Sequence, residues 1–169
     1  PNTNPVVSSA DMALQIDKEA SAFGLARVIQ TVSITKDFEG TDISHLDELD
    51  GHFIPVITED GHDVASAAVM LDGMTVASKK GIVVSCHCED NELAKKARPF
   101  RVKALDLMEK YHLPAWGGSF DDMDEIPDEV FDEIDSYLTR ANDILALAED
   151  TATARNIAIA RLADCHVHL

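Results

Sequence analysis

Residues 83–90 read VVSCHCED. An apolar run climbs to His87, which stands between Cys86 and Cys88, and Glu89 and Asp90 follow at once. The run IVVSC (82–86) is short, near-continuous and β-branched, the pattern of a strand buried on both faces of a parallel sheet. Its neighbours in the chain fit that sheet. Upstream, residues 64–79 carry small apolar residues at helical spacing, FIPVI (53–57) is a second apolar strand, and TEDGHD (58–63) is the loop after it. Residues 42–50 read as a short helix and ARVIQTVSI (26–34) as a strand. A helix over 8–23 opens at Ser8-Ser9-Ala10-Asp11, puts Met12, Ile16, Ala20 and Phe23 on one face and stops at Gly24. Downstream, 91–111 is helical and LPAWGG (113–118) is a turn. Pro127 opens a helix whose apolar face is Phe131, Ile134, Leu138, Ala141 and Leu145. Thr151 starts another helix ending near Ala163, and CHVHL (165–169) is a last strand. Strand and helix alternate throughout, which predicts an α/β fold with a parallel sheet.

Composition narrows the function. The chain has 169 residues and is 46% hydrophobic, enough for one domain with a real core. No apolar run approaches the ~18 residues of a membrane span, and the first residues lack the basic-then-apolar layout of a secretory signal. The net charge of −17 repels phosphate backbones and argues against nucleic acid as a partner. The acids concentrate in DDMDEIPDEVFDEID (121–135), read as a solvated helix face. An odd count of three cysteines, Cys86, Cys88 and Cys165, points to reduced thiols and a cytoplasmic protein.

In parallel α/β folds, chemistry sits at the C-terminal ends of the strands. After the strands come TK (35–36), TEDG (58–61) and HCED (87–90). Asp60 and His87 therefore reach neighbouring or near-neighbouring tips. A carboxylate and a neutral imidazole converging at one rim suit a divalent metal such as zinc. The bland alternative, a histidine satisfied by hydrogen bonds at a strand end, is the commoner one for these residues alone. Glu59, Glu89 and Asp90 read as capping or loop residues, and Cys86 and Cys88 as small strand residues that are neither ligands nor nucleophiles.

Pro1-Asn2-Thr3-Asn4-Pro5, then Glu59-Asp60-Gly61, then His87-Cys88-Glu89-Asp90 resemble, in order, three motifs of the class I dihydroorotases of the amidohydrolase superfamily. The likeness is close over 1–93 and again over 148–169. It implies a (β/α)8 TIM barrel of the metal-dependent hydrolase type, of which the chain covers about strands two to six, with a divergent acidic helical segment at 94–147. It implies zinc, one or two ions, with Asp60 a ligand that bridges two metals where both are present, His87 a second ligand, and Asn2 holding the substrate's carboxylate. Thr3 and Asn4 are turn formers. The implied reaction is reversible hydrolysis of dihydroorotate to N-carbamoyl-aspartate in pyrimidine synthesis, and the implied partners are that small-molecule substrate and either a second copy of the chain or aspartate transcarbamoylase. The resemblance puts the general-base Asp beyond Leu169, so no catalytic base is assigned within the chain.

Asp164–Leu169, DCHVHL, admits two readings. It matches the Asp-x-His-x-His motif of the superfamily's first strand, where both histidines bind metal. It also fits the sixth strand of the class I enzymes, where the ligand would come two positions after Leu169. The preceding amphipathic helix favours the second. A whole barrel needs roughly 200–250 residues or more, so the chain is expected to be part of one. Three rivals stay open: an allantoinase- or dihydropyrimidinase-like amidohydrolase, a non-catalytic dihydroorotase-like scaffold, and a small doubly wound domain binding a ligand at its strand tips.

Overall fold

The structure, a computed structural model, describes residues 1–113 and 126–169. The turn expected at 113–118 lies outside them apart from Leu113, as do the first five residues of the acidic run. The elements in order are α1 (Ala10–Ala22), two 3-10 helices (Lys36–Phe38 and Ser44–Glu48), β1 (Val56–Thr58), α2 (Ala67–Lys80), β2 (Val83–Ser85), α3 (Asn91–Lys110), α4 (Asp128–Ala163) and β3 (Val167–His168). The chain divides into two compact units, Pro1–Glu89 with Asp150–Leu169, and Asp90–Glu149.

In the first unit the strands form a parallel sheet in the order β1-β2-β3. The register pairs Thr58 with Ser85 and Ser85 with His168. The pairing extends past β1: Val32 bridges Ile57 in parallel, Thr58 N donates to Val32 O (3.0 Å), and Ser33 N donates to Val7 O (2.9 Å). Of the strand predicted at 26–34, only Val32 bridges a neighbour. Residues on either side explain why: Leu25 is 89% exposed and Ile29 is 47% exposed, whereas Val32 and Ile34 are buried, so only the last part of the run has a core to join. Val7, Val32, Ile34, Ile57, Val84, Met70 and Met74 make that core. Each strand is brief, and the sheet holds because its apolar side chains are buried against α1, α2 and the end of α4.

Helix boundaries follow local chemistry. Ser9 caps α1 by accepting from Met12 N, and Ser66 caps α2 by accepting from Val69 N. Met12 and Ile16 pack on the core as expected and Ala20 is half-buried, but Phe23, the C-cap, is 76% exposed because the helix ends before it. Gly81 closes α2 in the left-handed conformation (φ 67°). No new helix starts at Thr151: α4 runs unbroken from Asp128 to Ala163. That stretch contains neither glycine nor proline and is rich in alanine, so nothing interrupts the backbone ladder.

In the second unit, Asp90 caps α3, its carboxylate accepting from Glu92 N (3.0 Å) and Leu93 N (2.9 Å). Lys103 Nζ lies 5.2 Å from the centre of the Tyr137 ring, and Asp90 N donates to Ala148 O, so α3 and the first part of α4 run antiparallel. Ala97 and Ala104 are buried on one, and Ile134, Ala141 and Ala148 on the other, at the seven-residue spacing of a helix–helix seam. Asp128, Glu129, Asp132, Glu133 and Asp135 are exposed, as a solvated face requires.

Candidate metal centre at the strand tips

The register row Thr58–Ser85–His168 marks the C-terminal rim of the sheet. Asp60 follows Thr58 by two residues and His87 follows Ser85 by two, so both come just after the paired ends of neighbouring strands. DCHVHL lies as β3 beside β2, where the sixth-strand reading put it. His166 and His168 alternate with Val167 and are exposed; their carbonyls accept from Val84 N (3.0 Å) and Cys86 N (2.8 Å).

His87 is half-buried, and its Nδ1 is buried with no hydrogen-bond partner. Such an atom is costly unless something binds it. Asp60 is exposed at the loop crest. The neighbouring Gly61 has φ 75°, and a Cβ there would lie 2.7 Å from Nδ2 of Asn2, so Asn2 packs on the loop that carries Asp60. The Pro1–Pro5 turn holds Asn2 there: Thr3 N donates to Pro1 O (2.7 Å), and the Thr3 hydroxyl donates to Pro5 O (2.7 Å). Asn2 thus lies against the loop after β1 that carries Asp60, and His87 follows the neighbouring strand β2. An imidazole nitrogen and a carboxylate are ligand types that zinc takes. Among the described residues, no three His, Cys, Asp or Glu side chains converge as a complete metal site.

Glu59 has a larger part than the sequence revealed. It is 2% exposed and its carboxylate accepts from Ile34 N and Thr35 N (2.9 Å each) and from the Thr35 hydroxyl. Burial pushes its pKa up, against the pull of the hydrogen bonds from Thr35 and Ile34. Glu59 therefore ties the tip of the preceding strand segment to the residue just before Asp60. The Thr35 hydroxyl also accepts from Gly40 N (3.0 Å), which folds the 36–40 loop back. In that loop Asp37 and Phe38 both have positive φ, Asp37 accepts from the Ser8 hydroxyl (2.6 Å), and Phe38 stacks against His62 at 4.7 Å. The one signal for this in the sequence was an acid directly at a strand end.

Burial raises the Cys86 pKa to about 12, with Cys88 adding to the shift, and burial raises that of Cys165 as well. Cys88 Sγ accepts from Asn156 Nδ2 (3.8 Å). Asn156 and Arg155, which sequence reasoning passed over, lie on α4, and Arg155 binds Asp63.

Parallel strands with intervening helices and a polar C-terminal rim are the features of an α/β fold, and with the relatives below they make this part of a (β/α)8 barrel. The chain belongs to the dihydro-orotase-like family, whose model matches residues 2–113. It is 34% identical over 94 residues to a dihydroorotase of Aquifex aeolicus, covering 56% of this chain and 22% of that protein. A dihydroorotase of Brevibacillus brevis is 37% identical over 93 residues, covering 55% of this chain and 22% of the relative. That of Macrococcus caseolyticus is 25% identical over all 169 residues, 32% of its own length. The chain thus spans between about a fifth and a third of the length of the curated relatives it matches. Among the described residues no helix is long and apolar enough to cross a membrane.

Proposed function

We propose that this chain supplies part of the catalytic barrel of a cytoplasmic, zinc-dependent dihydroorotase, which reversibly hydrolyses dihydroorotate to N-carbamoyl-aspartate in pyrimidine synthesis. The observation that carries the reading is the pair of two-residue steps from the Thr58–Ser85 row to Asp60 and His87, the latter with an orphaned Nδ1, in a chain of this family. Asp60 and His87 would hold zinc through a carboxylate oxygen and a ring nitrogen. Bound there, zinc would supply a water acidified towards neutral pH and would polarise the amide carbonyl. Asn2, packed on the Asp60 loop, would orient the substrate by donating its side-chain amide to the ring carboxylate. The acidic segment at 94–147 lies outside this assignment and keeps the proposed role of a divergent helical insertion.

The test is zinc content and dihydroorotate turnover in the full-length protein with Asp60→Asn and His87→Ala. Loss of metal and rate in both supports the reading; wild-type metal content and rate in both sinks it. Hydantoin and allantoin as rival substrates distinguish this activity from that of related cyclic amidohydrolases.

A further inference from the structure

One buried polar network in the first unit plays no part in the chemistry above. Arg155 Nη2 donates to both carboxylate oxygens of Asp63 at 2.8 Å. Asp63's side chain is only 4% exposed and that of Arg155 is 24% exposed. The same guanidinium donates through Nε (3.2 Å) and Nη2 (3.0 Å) to Asn156 Oδ1. Asn156 is fully buried, and its amide donates to Cys88 Sγ at 3.8 Å. Asp63 lies three residues past Asp60, and Cys88 directly follows His87.

The setting argues against a packing role. Asn156 falls four residues from Ala152 and four from Ala160, both buried, so it interrupts a stripe of small apolar residues. An apolar side chain there would bury at no polar cost. A buried ion pair likewise adds little over an apolar pair of the same volume. What the network does provide is a fixed distance. One turn of α4 grips the loop after β1 with one residue and the tip of β2 with the next. Those are the two segments that carry Asp60 and His87.

We propose that Arg155 and Asn156 are positioning residues that set the separation of Asp60 and His87 for a divalent cation. This rests on the metal assignment above. Cobalt(II) is the probe, titrated into the metal-free full-length protein and followed by its visible absorption, with thermal unfolding of the metal-free protein measured alongside. Asn156→Leu keeps volume and removes both hydrogen-bonding ends. Arg155→Lys keeps a cation for Asp63 and removes the fork that orients Asn156. Both variants are expected to bind cobalt about 10–100-fold more weakly, the range of an outer-shell partner, with an altered absorption band and a metal-free unfolding midpoint close to the wild type. Should Asn156→Leu not fold, Arg155→Lys decides alone. Unchanged affinity and spectrum in Arg155→Lys, while His87→Ala loses cobalt, overturns the positioning role and leaves the metal assignment standing. Unchanged cobalt binding in His87→Ala and Asp60→Asn overturns the metal assignment itself, and the positioning role with it.

Discussion

Replacing Glu59 tests how the rim is held together. Its carboxylate is the acceptor for two buried backbone donors, Ile34 N and Thr35 N, and for the Thr35 hydroxyl. In Glu59→Ala those backbone donors lose their partner in a site that is 2% exposed. An orphaned buried group costs about 1–3 kcal/mol, so the two together cost about 2–6 kcal/mol, a large part of the ~5–15 kcal/mol of a typical domain. Glu59→Gln keeps one oxygen for the N–H groups and should cost much less, about 1–2 kcal/mol. Urea unfolding at constant pH measures both. The pH dependence gives a second check. Burial raises the folded-state pKa above the ordinary 4.5. The native protein then holds the proton more tightly than the unfolded chain, so stability falls as pH rises from about 4.5 through the raised value. Glu59→Gln lacks that titration, so the difference between wild type and variant should shift in the variant's favour across this window and be flat below it. A Glu59→Ala cost under about 1 kcal/mol would refute the view of Glu59 as the buried tie, and a difference flat across the window would mean that its hydrogen bonds offset its burial.

Other outcomes follow from the same geometry. Ile57, fully buried on β1, should lose about 2–5 kcal/mol on Ile57→Ala in denaturant unfolding. Gly61→Ala puts a left-handed strain of about 1–2 kcal/mol on the loop and pushes the Asn2 amide aside. On the proposed function, that variant should raise KM for dihydroorotate more than it lowers kcat, and an unchanged KM would count against Asn2. Cys86, with its pKa raised to about 12, should resist alkylation at pH 8 in the native protein and react once urea unfolds it, as peptide mass spectrometry would reveal.

What could be read from the sequence was what repeats or ends sharply. IVVSC contains a parallel strand that pairs on both sides, with Ile82 and Val84 buried and Val83 and Ser85 half-buried. Ser9 and Asp90 cap their helices because short polar side chains there meet bare backbone donors. The Asp60 loop and His87 follow from strand ends. The first strand was overextended because β-branched residues at 26–31 look the same whether or not a core lies beside them, and here those positions lack one. A helix start at Thr151 has no glycine or proline before it to end the preceding helix, and α4 runs through.

The ties between loops were the least legible part, because each joins residues far apart in the chain. Glu59 answers to Thr35, and Arg155 to Asp63; no local pattern pairs them. Yet one feature was present on the line of sequence: Asn156 occupies the buried position of a four-residue alanine spacing, where a polar side chain needs a reason. Strands alone set only the level at which Asp60 and His87 leave the sheet. Their separation beyond that level depends on loops, which are free to move unless something outside the sheet fixes them. Glu59 fixes the start of one loop from the strand side, and Arg155 fixes its end from the helix side. Asp60, exposed between those two anchors, is therefore positioned by what holds its neighbours.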